Sequence, residues 1–75
     1  MLNIKKIGVN QTEVRGNGAV VLFSYETPVA AVINGAIRVR TETVWSRTTE
    51  RHINGWLKGY KFDTISQDEI NSLLG

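Results

Sequence analysis

The spacing of apolar and polar positions changes period once along this chain. Through the first forty residues, short runs rich in Val, Ile and Ala are interrupted every six to ten positions by Gly, Asn or Pro, the pattern of short antiparallel strands. Four strands are expected. The first is Leu2 to Val9, in which Leu2 and Ile4 lie out of phase with Ile7 and Val9, so a bulge or a strand end falls near Lys5 and Lys6. Gly16-Asn17-Gly18 is the strongest turn signal, because Gly and Asn accept positive φ at little cost. It leads into Ala19 to Tyr25, which is apolar on both faces and therefore central to its sheet. After the break at Glu26-Thr27-Pro28 comes Val29 to Ile33, and Asn34-Gly35 forms a two-residue type I′ hairpin into Ala36 to Thr41. In this fourth strand Ile37 and Val39 face one way and Arg38 and Arg40 the other, so one face is expected to be wet.

Beyond Thr41 the period becomes helical. Thr49, Ile53, Trp56, Leu57 and Tyr60 fall on one stripe at about 100° per residue. Ser46 or Thr48 can cap the first turn, Glu50 favours the positive end of the helix dipole, and Gly59 would end the helix. Ser66 and Glu69 have capping-box spacing ahead of Ile70, Leu73 and Leu74. The spacing thus predicts one α+β domain over residues 1–75, with strands within about 2–41 and helices over roughly 47–58 and 66–74. Its expected form is a small antiparallel sheet of three to four strands followed by two C-terminal helices packed on it, the first across one sheet face.

Composition narrows the function classes. A chain of 75 residues buries only about 60% of the surface its unfolded form exposes, so self-association into a homo-oligomer is one expected outcome. There is no cysteine, which removes disulfides, thiolate metal sites and thiol nucleophiles together. The N-terminus lacks the apolar run and cleavage site of a signal peptide, and no apolar run approaches the ~18 residues that span a bilayer. A cytosolic protein without membrane contact fits best. The net charge of +2 is unevenly spread. Residues 1–37 carry +1, residues 38–61 carry +4 and the last fourteen carry −3, so the middle of the chain is its basic part.

That basic part holds the candidate chemistry. Arg47, Arg51, Asn54 and Lys58 form a polar stripe opposite the apolar one. With Arg38, Arg40 and Trp45, the cations Arg47, Arg51 and Lys58 make a candidate binding patch for phosphates or an acidic protein surface, while the plainer reading is the solvated side of an amphipathic helix. Trp45 can stack on a base, anchor a protein interface or simply be buried. His52, one turn before Trp56, completes the patch as a packing residue resting on the indole, with a ring nitrogen left for solvent or a carbonyl. No catalytic or metal site is expected. His52 has no paired carboxylate or ligand set, Ser24 and Ser46 lack Gly-x-Ser-x-Gly surroundings, and the Gly-Asn-Gly turn is too short for a P-loop. No cofactor follows from these residues.

The blocks VVLFSYETPVAA (Val20 to Ala31) and WSRTTERHINGWL (Trp45 to Leu57), with the Ser-containing opening of the terminal helix, resemble a family of short proteins encoded by bacteriophages and other mobile elements. The resemblance covers roughly residues 19–74 and leaves MLNIKKIGVNQTEVRG outside it. It implies an accessory protein made in the host bacterial cytoplasm, and it carries over no activity, ligand or site residue. The leading expectation is a non-enzymatic binding module that regulates or inhibits a host protein. A nucleic-acid-binding protein using Arg38, Arg40, Trp45, Arg47, Arg51 and Lys58 is the second, against which stand the modest net charge and the absence of a helix-turn-helix or RNA-binding aromatic signature. The third is an oligomer that sequesters a charged metabolite or nucleotide between sheet and helix with Thr48, Arg51 and His52.

Overall fold

The computed structural model describes residues 2–74. They form β1 (Asn3–Gly8), β2 (Gln11–Gly16), β3 (Ala19–Ser24), β4 (Thr27–Ile33), β5 (Ile37–Thr41), α1 (Arg47–Trp56), β6 (Asp63–Ile65) and α2 (Gln67–Asn71). The strands make one six-stranded sheet in chain order. The first five are an antiparallel meander, and β6 runs parallel to β5. This corrects the expected sheet of three to four antiparallel strands followed by two helices. Two strands escape the periodicity: β2 has Val14 as its one large apolar residue, and β6 has three residues beginning with an aspartate. The parallel pair also reorders the architecture. Parallel neighbours need a crossover, and α1 supplies it by bridging β5 and β6, so the helices do not simply follow the sheet.

The turns follow the local chemistry. Asn17 and Gly18 have φ of 50° and 75°, and Asn34 and Gly35 have φ of 53° and 71°, the consecutive positive values that a type I′ hairpin requires. The out-of-phase apolar pattern of β1 is resolved by a register shift between Lys6 and Gly8. A second irregularity lies between β3 and β4, where Leu22 pairs with Ala30 but Phe23 with Pro28. Val29 is the extra residue, and it joins the same core as Ala30.

Each sheet face carries one helix. Ile53 and Leu57 of α1 and its C-cap pack with Leu22, Val29 and Ala30, flanked by Trp56. On the opposite face Ala19, Val21, Ala31 and Val39 are covered by Leu73 and Leu74, which follow α2, together with Phe23, Ile33 and Ile65. Covering on both faces is why β3 is apolar from Ala19 to Phe23. Full burial of Leu22 and Ile53 contributes about 1.5–3 kcal/mol each relative to exposure. The face of β5 that carries Arg38 and Arg40, expected to be wet, lies instead on the α1 side.

Both helices open on serines. Ser46 Oγ accepts from the Thr49 amide at 3.1 Å, and Ser66 and Glu69 form a reciprocal capping box. Both helices also stop short of the expected 58 and 74. At the end of α1 the Leu57 amide bonds the Ile53 carbonyl, and the chain turns to a left-handed Gly59, φ 84°. No helix among the described residues is long and apolar enough to cross a membrane.

Candidate interaction surface

Helical geometry sorts the charges of α1 into two groups. Residues separated by three or four share a face, and Arg47, Arg51, Asn54 and Lys58 are all exposed. Glu50, the one acid of the helix, points down instead. Arg40 reaches up from β5 and grips it with two parallel hydrogen bonds, Nη1 to Oε1 at 2.9 Å and Nη2 to Oε2 at 2.8 Å. Nε of Arg40 also donates to the Thr41 carbonyl at 2.9 Å. A guanidinium with three of its five N–H donors taken inside the protein, its charge paired with a carboxylate and its side chain 12% exposed is poorly placed to hold an external anion.

The expected patch therefore separates into unlike parts. Arg40 is neutralised beneath the helix. Arg38 lies 3.7 Å from the centroid of the Tyr60 ring, a cation–π contact, and donates to the Ala36 carbonyl at 3.3 Å. Arg47, Arg51 and Lys58 remain as a ridge on the outer face of α1 and the turn after it. The ion pairs among the described residues are Arg40 with Glu50 and Arg15 with Glu13, so these three cations face solvent without a carboxylate partner. Trp45 stands at the entrance to the ridge, 52% exposed. Its indole N–H donates to Gln67 Oε1 at 3.1 Å, and Gln67 Nε2 donates to the Pro28 carbonyl. The ring is thereby held in place while one side stays open, with Val44 exposed next to it.

His52 does not belong to the patch. Its Nδ1 lies 2.8 Å from the Ser24 hydroxyl, which is also 2.9 Å from Thr49 Oγ1. A hydroxyl donates one proton and can accept two, so Ser24 donates to at most one of these neighbours and accepts from at least one. The expected stacking of His52 on Trp56 is replaced by two separate contacts. His52 lies tilted against Tyr25, ring centroids 6.1 Å apart, and Trp56 Nε1 donates to Glu13 Oε2 at 2.8 Å. Ser24 is 2% exposed, so its hydroxyl has no approach for a reacting carbon, and its bonds to His52 and Thr49 fix the helix to the sheet. The proposed pocket of Thr48, Arg51 and His52 does not assemble: Thr48 and Arg51 are exposed while His52 turns inward.

Sequence reasoning missed Tyr25. Its φ of 57° places a bulky residue in the left-handed region at a cost of about 1 kcal/mol or more, and only a turn residue such as Gly or Asn would have signalled that conformation. The open grooves lie elsewhere. One of about 650 Å³ runs between the β1–β2 and β3–β4 turns and is lined by Lys6, Thr12, Tyr25 and Glu26 among others. Among the described residues no three His, Asp or Glu side chains are grouped for a metal ion.

Comparison with curated proteins and with solved structures finds no match. Residues 2–72, which hold the whole sheet and both helices, match a family of unknown function. The match includes the N-terminal strands, which lay outside the motif blocks, and the chain belongs to DUF8033.

Proposed function

We propose that this protein is a small non-enzymatic binding module that docks on an acidic surface of a host protein in the bacterial cytoplasm, using the outer face of α1 with Trp45 at its entrance. The observation that carries this reading is the removal of Glu50 to the underside of the helix by Arg40. It leaves an outer face whose charges are all positive: Arg47, Arg51 and Lys58. Such a face attracts an acidic partner and orients it during encounter. An exposed indole beside it, held by Gln67, has the character of an interface anchor.

The comparison of wild type with Arg47→Glu/Arg51→Glu tests the reading. Both are used as bait in bacterial lysate, with and without nuclease, and retained molecules are identified by mass spectrometry. The expected result is an acidic protein held by wild type, lost with the double reversal and indifferent to nuclease. Retention that depends on nucleic acid, or that survives the reversal, overturns the proposal. A salt titration with labelled duplex DNA gives an independent measure. Three phosphate contacts correspond to a slope of about −2.7 in log affinity against log salt, so nucleic acid is expected to be released by physiological salt.

A further inference from the structure

The two edges of the sheet differ in how they are protected. β6 has three residues and begins with Asp63, and shortness and charge both keep an edge from pairing. β1 has six residues, and Leu2 and Ile4 are 50% and 73% exposed beside its neighbour β2. Ile4 opposes Val14, which opposes Val21, so these side chains share the face covered by Leu73 and Leu74. Leu2 sits over Gly16, where a Cβ would collide with it and would also meet Leu74. The apolar surface of that face therefore runs uncovered to the edge. Lys5, Lys6 and the register shift before Gly8 guard only the second half of β1.

We propose that β1 pairs antiparallel with β1 of a second copy, centred on Ile4. Charge and apolar exposure select this register. Side chains directly opposed in an antiparallel pair share a face, and a symmetric pair opposes each residue to its mirror position. Centring on Lys5 or Lys6 sets lysine against lysine, which is destabilising. Centring on Asn3 puts a polar pair at the axis, whereas centring on Ile4 puts there the most exposed apolar side chain of β1. Centring on Ile4 opposes Ile4 to Ile4, Asn3 to Lys5 and Leu2 to Lys6. No like charges meet, and the lysine stems lie along the leucines. The apolar strip of one copy then continues into that of the other.

Geometry fixes the rest of the assembly. Antiparallel pairing of equivalent edges puts the two-fold axis normal to the sheet, so the two six-stranded sheets become one with both α1 helices on one side and both α2 helices on the other. The dimer does not depend on the role proposed for α1. It does place the two basic ridges on the same side of the joined sheet, so that a symmetric acidic partner can meet both.

Sedimentation equilibrium of the full chain tests this, with wild type set against Ile4→Glu and Val44→Glu. The expected mass for wild type is twice the 8.4 kDa of the chain. Ile4→Glu, which opposes glutamate to glutamate at the axis, is expected to be a folded monomer. Val44→Glu, at a similarly exposed site after β5, is expected to remain a dimer. A second measurement does not rely on a disruptive charge. Because the chain lacks cysteine, Ile4→Cys introduces a sole thiol at the axis, and mild oxidation is expected to cross-link Ile4→Cys but not Val44→Cys. A wild type monomeric up to about 100 μM, where a dimer of any useful affinity would form, overturns the proposal. So does persistent dimerisation of Ile4→Glu or failure of Ile4→Cys to cross-link.

Discussion

A single buried hydroxyl connects the two halves of this protein. Ser24 ends β3, and Thr49 and His52 belong to α1, 25 and 28 positions further along the chain. Ser24→Ala removes the shared partner of both helix side chains. Orphaned polar groups at such a site cost about 1–3 kcal/mol, and His52 is partly open to water, so a loss of about 2 kcal/mol is expected. At roughly 4–8 °C per kcal/mol for a domain of this size, a thermal melt reads it directly. The adjacent residue is expected to move the melt the other way. Tyr25 occupies the left-handed region, which asparagine tolerates, as Asn10, Asn17 and Asn34 do in this chain. Tyr25→Asn is expected to gain about 0.5–1 kcal/mol, since the phenol ring is half exposed and its contact with His52 is loose. A lowered melting point would mean that this contact outweighs the backbone strain.

At the level of elements, α1 is held by opposite chemistries at its two ends. Near its start Arg40 clasps Glu50; near its finish Trp56 lies against the core and bonds Glu13. Trp56→Ala is expected to cost about 3 kcal/mol by the usual scale of aromatic truncation, seen as a large fall in the denaturant midpoint. Arg40→Met is expected to cost about 2 kcal/mol, less than a fully buried pair would, because Glu50 keeps some contact with solvent. Arg40→Met/Glu50→Met is expected to recover most of that loss, so a double-mutant cycle must show strong coupling. The sequence patterns reached the amphipathic helix, the Ser66 capping box, the Gly-Asn-Gly turn and the Asn34-Gly35 hairpin, and offered Ser46 as one of two caps for α1, because each rests on residues within four positions of one another. They did not reach the pairing of Arg40 with Glu50, ten residues apart across a change of element. Arg38 and Arg40 were grouped with the helix ridge for the same reason: alternation tells which residues share a strand face, and only the crossover decides that α1 and Tyr60 cover it. β2 was hidden because the side of it facing α1 carries Glu13, a partner of the Trp56 indole, where a strand pattern calls for an apolar residue.

For the whole molecule, charge is divided between the two sides of the sheet. Arg47, Arg51 and Lys58 stand on the α1 side, while Asp68 and Glu69 lie in α2 on the other. The proposed working surface faces one way, and lost encounter steering is the expected effect of reversing it. With a partner in hand, Arg47→Glu/Arg51→Glu is expected to lower the association rate at low salt, with the gap from wild type narrowing as salt rises. Stopped-flow mixing at several ionic strengths reads this. A difference confined to the dissociation rate would place the arginines in the contact itself rather than in its approach.

The meander also has a consequence in time. Each of its first four strand pairs joins sequence neighbours through a short turn, so their loops close quickly. β6 can find β5 only after the intervening stretch that contains α1 has folded back over the sheet. The hairpins are thus placed to form early, and the final strand and α2 to close the domain last. Gly35→Ala, which disfavours the positive φ of the hairpin turn, is expected to slow refolding. Ile65→Ala, on the late strand, is expected mainly to speed unfolding. Chevron kinetics that put the loss for Ile65→Ala in the refolding arm would show that the crossover forms before the transition state.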